Sequence, residues 1–147
     1  MKKIKFLFNL IRLIPHLILY KTSRNKEIIQ YDVNRWLNLT NVDNKLGFVG
    51  LMTNLPEFRN LFYKRIGRYS SFVRWLCPPM NTLFITTNSI GPGLFIQHGF
   101  ATIISAKSIG KDCWINQQVT IGYSNETDAP TLGDNVVINA GAKIIGK

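Results

Sequence analysis

In the second half of this chain a large apolar residue returns every six positions. Phe84, Ile90 and Ile96 form one run, Ile103, Ile109, Ile115 and Ile121 a second, and Leu132, Ile138 and Ile144 a third. A helix repeats at about 3.6 residues and a strand at two, so a period of six fits neither alone. It fits a solenoid in which each unit is one short strand plus one corner, three units close a coil, and the anchor residue points inward. Four places beyond the anchors, Leu94, Cys113, Val119, Val136 and Ala142 offer a second inward position. Their modest size suits a narrow prism. The residue after the anchor is Gly91, Gly110, Gly122 or Gly133, with Asn116 and Asn139 at two further sites. Gly and Asn accept a left-handed backbone, which predicts left-handed corners there. Separate strands joined by glycine-rich turns would show no such regular spacing.

The repeat breaks twice. One extra residue enters between Ile96 and Ile103, around His98-Gly99-Phe100, and about five enter near Tyr123–Pro130. Regular units need no exceptions, so interruptions are where function tends to sit. The chain has two histidines. His16 lies beside Pro15 in a helical segment and reads as structural. His98 lies on the first break, followed by a glycine that lets a ligand come close. A neutral imidazole is the natural general base near pH 7, so His98 is the candidate catalytic residue; the competing reading is a surface histidine satisfied by a carbonyl. Two histidines and two distant cysteines, Cys77 and Cys113, are too few for a zinc site, and no metal is expected. No Walker loop or nucleophile elbow is present.

The first half reads as helical. Helices are expected over roughly 3–20 and 25–38, and a third from Pro56, carrying Phe58 to Leu76 and stopped by Pro78-Pro79, with Gly67 as its weak point. The whole is thus an α region, 1–80, followed by a solenoid, 81–147. Of the net charge of +10, residues 1–80 hold all: 14 Lys+Arg against 4 Asp+Glu, while the remainder holds 4 of each. Such a half attracts anionic surfaces. Residues 1–20 place Lys5, Asn9, Arg12 and His16 on one stripe of an otherwise apolar helix. That helix either packs into a core or lies on an anionic membrane; it is too broken for a span, and no signal-peptide cleavage site follows. The solenoid half is neutral and offers no basic or aromatic groove, so no nucleic-acid partner is expected. Free cysteines fit a reduced, cytoplasmic protein.

Three stretches carry a family resemblance: Ile90-Gly-Pro-Gly-Leu-Phe-Ile-Gln-His-Gly, Ile109-Gly-Lys-Asp-Cys-Trp-Ile-Asn-Gln-Gln-Val-Thr-Ile-Gly, and Ala129-Pro-Thr-Leu-Gly-Asp-Asn-Val-Val-Ile-Asn-Ala-Gly-Ala-Lys-Ile-Ile-Gly. Together they resemble the hexapeptide-repeat serine acetyltransferases over about residues 84–147, most of all the branch found with surface-polysaccharide synthesis. The resemblance implies a left-handed parallel β-helix, a homotrimer or dimer of trimers with active sites between subunits, and acetyl-CoA as donor substrate. It puts His98 on the catalytic base and assigns Gly122, Ala140, Gly141 and Ala142 to cofactor binding. Against the family pattern, Leu83 stands where an acidic partner of the base is found, Gln97 where an acidic residue precedes it, and Asp128-Ala129 where Arg-His precedes the loop proline. Those cationic groups bind the carboxylate of serine, and a buried carboxylate without a positive partner is costly. The expected activity is therefore O-acetylation of a sugar hydroxyl, on a glycan or its lipid-linked precursor at the inner face of the membrane. The alternatives are serine O-acetylation in cysteine biosynthesis and a non-catalytic solenoid scaffold. The repeat stops soon after Ile144, where family members continue, so a β-helix domain truncated at its C-terminus is expected.

Overall fold

The computed structural model describes residues 2–125 and 127–146, with side chains from residue 10 onward. Lys5 and Asn9 of the expected polar stripe lie outside the described side chains. The chain divides into two compact units, Met1–Pro79 and Met80–Lys147.

The first unit holds four helices: α1 (Lys2–Thr22), α2 (Lys26–Leu39), α3 (Gly47–Asn54) and α4 (Pro56–Ile66). Two 3₁₀ turns, Asn44–Leu46 and Gly67–Phe72, flank α3 and follow α4. The third expected helix is therefore shorter than the pattern suggested. Gly67 takes a φ of +58° and ends it, and the apolar residues beyond continue in a 3₁₀ turn. Helix α3 was not anticipated, because eight mostly apolar residues are too few to show a period. The Arg59 guanidinium closes its open C-terminal end, donating to the carbonyls of Met52 at 2.6 Å and Thr53 at 2.7 Å. The unit's core is aromatic. Trp36 meets Phe58 edge-on at 5.3 Å, and Phe48 meets Phe62 at 4.9 Å. Asp32 and Arg65 are buried together, with Nε to Oδ2 at 2.8 Å and Nη2 to Oδ1 at 3.2 Å.

His16 is fully buried on the inner side of α1. The Tyr63 hydroxyl donates to the Cys77 carbonyl at 2.6 Å, so it is His16 Nε2 that donates to the Tyr63 oxygen at 2.9 Å. Burial, helped by the nearby Arg12 and Arg59 charges, lowers the imidazole from 6.5 to about 4. Between those values the unfolded chain binds a proton that the folded unit does not. This unit should thus lose stability as pH falls from about 6.5 to about 4, by up to roughly 3 kcal/mol. Urea melts across that range check it, and His16→Phe should remove most of the slope attributable to this group.

The second unit is a three-sided solenoid of parallel strands. One wall is β1-β4-β7-β10 (Leu83–Ile85, Thr102–Ile104, Thr120–Gly122, Lys143–Ile145). The second is β2-β5-β8 (Ser89–Ile90, Ser108–Ile109, Thr131–Leu132) and the third β3-β6-β9 (Phe95–Ile96, Trp114–Ile115, Val137–Ile138). The interior column is Leu94, Ile96, Ile104, Cys113, Ile115, Val119 and Ile121, each at most 1% exposed. Ile90, Ile109, Leu132 and Ile138 are buried as expected.

Two anchors are corrected. Phe84 and Ile103 point outward, 55% and 43% exposed, and the inward residues are Leu83, Thr102 and Ile104. Ile85 pairs with Ile104 and Ile104 with Ile121, so eight residues, not seven, run from Ile96 to the next anchor, and the following corner is one residue short. With apolar residues on both faces of Leu83-Phe84-Ile85 and of Ile103-Ile104, spacing alone picked the wrong parity.

The glycines are explained differently too. Left-handed backbone occurs at Gly93, His98, Ala101, Asp112, Gln118, Asn135, Gly141 and Gly146, not directly after the anchors. Gly91 and Gly110 are needed for stacking. A Cβ on Gly91 would sit 2.6 Å from the carbonyl carbon of Gly110, and one on Gly110 2.5 Å from that of Gly133.

Candidate functional site

The corner between the third and first walls holds one of the two breaks in the repeat, and it carries His98. In the coil that follows, the ladder runs from Gln97 N to Ile115 O at 2.9 Å and from Gln118 N to Phe100 O at 2.9 Å. From the coil after that, Gly141 N donates to Gln117 O at 3.1 Å, while Asn116 N reaches Ile138 O at 3.0 Å. Residues 97–101, 116–119 and 139–142 are thus successive rungs of one corner. At a rung spacing of about 4.8 Å, His98 and the Ala140-Gly141-Ala142 segment lie two rungs, or about 10 Å, apart.

The two surplus residues at this corner fold into a tight reversal. The Phe100 amide bonds back to the His98 carbonyl, and both His98 and Ala101 take positive φ, +58° and +51°. Histidine is among the side chains that accept this conformation. Gly99 is buried beneath the kink, and the His98 imidazole stands exposed. Among the described residues no side chain hydrogen-bonds to it.

The rung between His98 and the small-residue segment was not singled out from the sequence. It holds Asn116, whose amide donates to Ile138 O at 3.0 Å, and Gln117 and Gln118. Lys143 of β10 donates its ammonium to Gln118 O at 2.7 Å, placing a cation at the same corner. Only the ladder pairings between coils bring these residues alongside His98. On the open side, Ala140 and Gly141 are exposed, and a Cβ at Gly141 would meet nothing within 4 Å. The surface of this corner is therefore open to a thin, extended ligand.

Gly122 lies elsewhere. It ends β7 opposite Ile145, about 10 Å along the wall from the His98 corner, and leads into the Tyr123–Pro130 loop at the next corner. That loop is closed on itself by Asp128. The carboxylate accepts from the amides of Ser124 at 2.9 Å and Asn125 at 3.0 Å and from the Ser124 hydroxyl. The Ser124 hydroxyl first, then the Asn125 amide, hold Asp128 below its usual range, so it is an anion at neutral pH. Among the described residues there is no cluster of three or more His, Cys, Asp or Glu that could hold a metal ion, and no helix long and apolar enough to cross a membrane.

No protein-family model matches the chain. Curated relatives do. A serine acetyltransferase of Synechococcus elongatus is 43% identical over 61 residues, 39% of this chain and 25% of that protein. A serine acetyltransferase of Helicobacter pylori is 44% identical over 61 residues, 39% of this chain and 36% of that protein. Among solved structures, serine acetyltransferase isoform 3 from Entamoeba histolytica, in complex with cysteine, superposes with a TM-score of 0.62 at 27% identity, over 82% of this chain and 48% of that one. The Neisseria gonorrhoeae serine acetyltransferase, in complex with serine, gives 0.68 at 19% identity, over 90% and 60% of the two chains, and at that identity shares the fold alone. The chain spans about a quarter to a third of the curated relatives it matches.

Proposed function

We propose that this chain, a member of the serine acetyltransferase-like hexapeptide-repeat group, transfers an acetyl group from acetyl-CoA to an alcohol. The observation that carries the reading is one corner presenting an exposed imidazole on a left-handed kink and, two rungs on, a segment of small residues with open space above it. His98 takes the proton of the acceptor hydroxyl as its oxygen attacks the thioester carbonyl. The tetrahedral intermediate then expels the thiolate, and the imidazolium returns the proton to sulfur, leaving an ester and free CoA. Ala140, Gly141 and Ala142 let the thin pantetheine arm lie against backbone, holding the thioester near the alcohol. Gly122 serves the cofactor from the neighbouring corner, and a trimer would bring such a corner and His98 from two copies into one site. No metal is needed for this chemistry.

The relatives' names support serine as the acceptor. A second reading, a sugar hydroxyl in surface-polysaccharide synthesis, is favoured by Asp128. Its fixed negative charge in the loop repels an acceptor carboxylate, and the loop offers no cation in compensation.

Acetyl-CoA should raise the melting temperature by roughly 5–10 degrees at one hundred times its Kd. Protein incubated with acetyl-CoA and either L-serine or a neutral sugar should release CoA thiol with the true acceptor, and mass spectrometry of the product separates the two readings. A protein that neither binds acetyl-CoA nor releases thiol with either acceptor would instead be a scaffold.

A further inference from the structure

The reversal that carries His98 also carries an aromatic side chain. The Phe100 amide bonds to the His98 carbonyl, so the two residues close a three-residue turn. Their Cα atoms are at most about 7 Å apart. Between them Gly99 is buried and adds no side chain. His98 is exposed, and Phe100 is 53% exposed. One turn thus presents a proton acceptor at one end and a flat hydrocarbon face at the other. The fold uses position 100 through its backbone: Phe100 O accepts from Gln118 N at 2.9 Å and from the Thr102 hydroxyl at 3.1 Å.

The polar groups around this turn are neutral. Residues 97–101 and the next rung, 116–119, include no Asp, Glu, Lys or Arg. They carry the carboxamides of Gln97, Asn116 and Gln117, all half-buried, and of Gln118. Lys143, one coil further on, is the cation of this corner, and its ammonium is bonded to Gln118 O at 2.7 Å. A zwitterionic acceptor brings two charges, and each needs a counter-charge once water is displaced. Carboxamides beside an aromatic face suit a different molecule: a neutral ring with hydroxyls on its edge and C–H bonds on its face. The weakly positive C–H bonds of a sugar ring settle on the electron-rich face of a phenyl group. Stacking also removes apolar surface from water.

We propose that Phe100 is the platform on which the acceptor's sugar ring stacks, bringing one hydroxyl to His98, and that it selects a sugar over an amino acid. Gln97 and Gln117 take neighbouring hydroxyls. This role rests on the acetyl-transfer reading, while the stacking itself needs no turnover, so the two fail separately.

The test uses the full chain, the methyl glycosides of glucose, galactose, mannose and N-acetylglucosamine, and L-serine. Phe100 is replaced by Tyr, Trp, Leu or Ala. Position 100 is exposed and outside the left-handed region, so each variant should melt as the parent does. Phe100→Leu and Phe100→Ala should raise the KM of the accepted glycoside roughly tenfold, with kcat held within about twofold. Phe100→Tyr and Phe100→Trp should keep KM near the parent value. The melting shift caused by acetyl-CoA should be the same in all. Proton NMR gives a second readout: ring protons of the bound glycoside should move upfield under an aromatic ring current, but not with Phe100→Leu. A leucine variant with the parent's KM would overturn the platform. So would L-serine as the accepted substrate with no glycoside shift, or a changed oligomeric mass in Phe100→Ala, which would mean that a second copy covers the phenyl group. If no acceptor releases thiol, the acetyl-transfer reading fails. An upfield shift that Phe100→Leu abolishes would then still uphold the platform, and no shift would overturn it too.

Discussion

His98→Asn should leave a folded protein whose acetyl-transfer rate is lower by about two to four orders of magnitude, the range that a positioned general base contributes. Asparagine is the informative replacement. Position 98 holds a positive φ, and asparagine tolerates that backbone as well as histidine does, so the corner is kept and only the proton acceptor is lost. The side chain is exposed, so stability should change by less than about 0.5 kcal/mol. Thiol release from acetyl-CoA with the better acceptor measures the rate, and a melt with and without acetyl-CoA measures the cofactor site. Lost turnover with unchanged acetyl-CoA stabilisation is the result expected of a base. Turnover at the parent rate would remove His98 from the chemistry.

Breaking the Asp32–Arg65 pair should be the most damaging substitution in the helical unit. Both side chains are buried, 2% and 7% exposed, and the contact is two-pronged. Asp32→Ala strands a guanidinium without its counter-charge, which costs about 3–5 kcal/mol. That is a large part of the roughly 5–15 kcal/mol that stabilises a typical domain. Removing both charges with residues of similar volume, Asp32→Leu with Arg65→Met, should recover most of the loss, because the cost lies in the orphaned ion rather than in the missing attraction. Denaturant midpoints of the single and double variants decide it. A double variant as weak as Asp32→Ala would mean that the pair sets the packing of α2 on α4 by more than charge.

Much of the solenoid was legible because its signal is long. Ten anchors at a spacing of six leave few alternatives, and eight of them point inward or line the interior rung. Phe84 and Ile103 misled because their neighbours are also apolar, so hydrophobicity carried no parity there. The glycines misled for another reason. Gly91 and Gly110 look like conformational glycines, but what excludes a side chain is the backbone of the next coil, which lies far off in sequence. In the helical half, α3 was too short to show a period, and a single glycine at 67 converted the end of a long apolar pattern into a 3₁₀ turn.

The site was legible only in part. His98 stood out because it breaks the repeat. Gln117, Gln118 and Lys143 did not, because their relation to His98 lies across coils of unequal length, and counting along the chain cannot align them without the ladder pairings.

Those unequal lengths have a consequence of their own. From Ile85 to Ile104 the chain spends nineteen residues, from Ile104 to Ile121 seventeen and from Ile121 to Ile144 twenty-three, yet each circuit lands in register on the one before. Surplus is taken up wholly at the edges of the prism, so the hydrocarbon column inside never senses it. A lineage built on this plan can remodel the surface at its corners by inserting or deleting whole segments, a far coarser tool than point mutation, without renegotiating its interior.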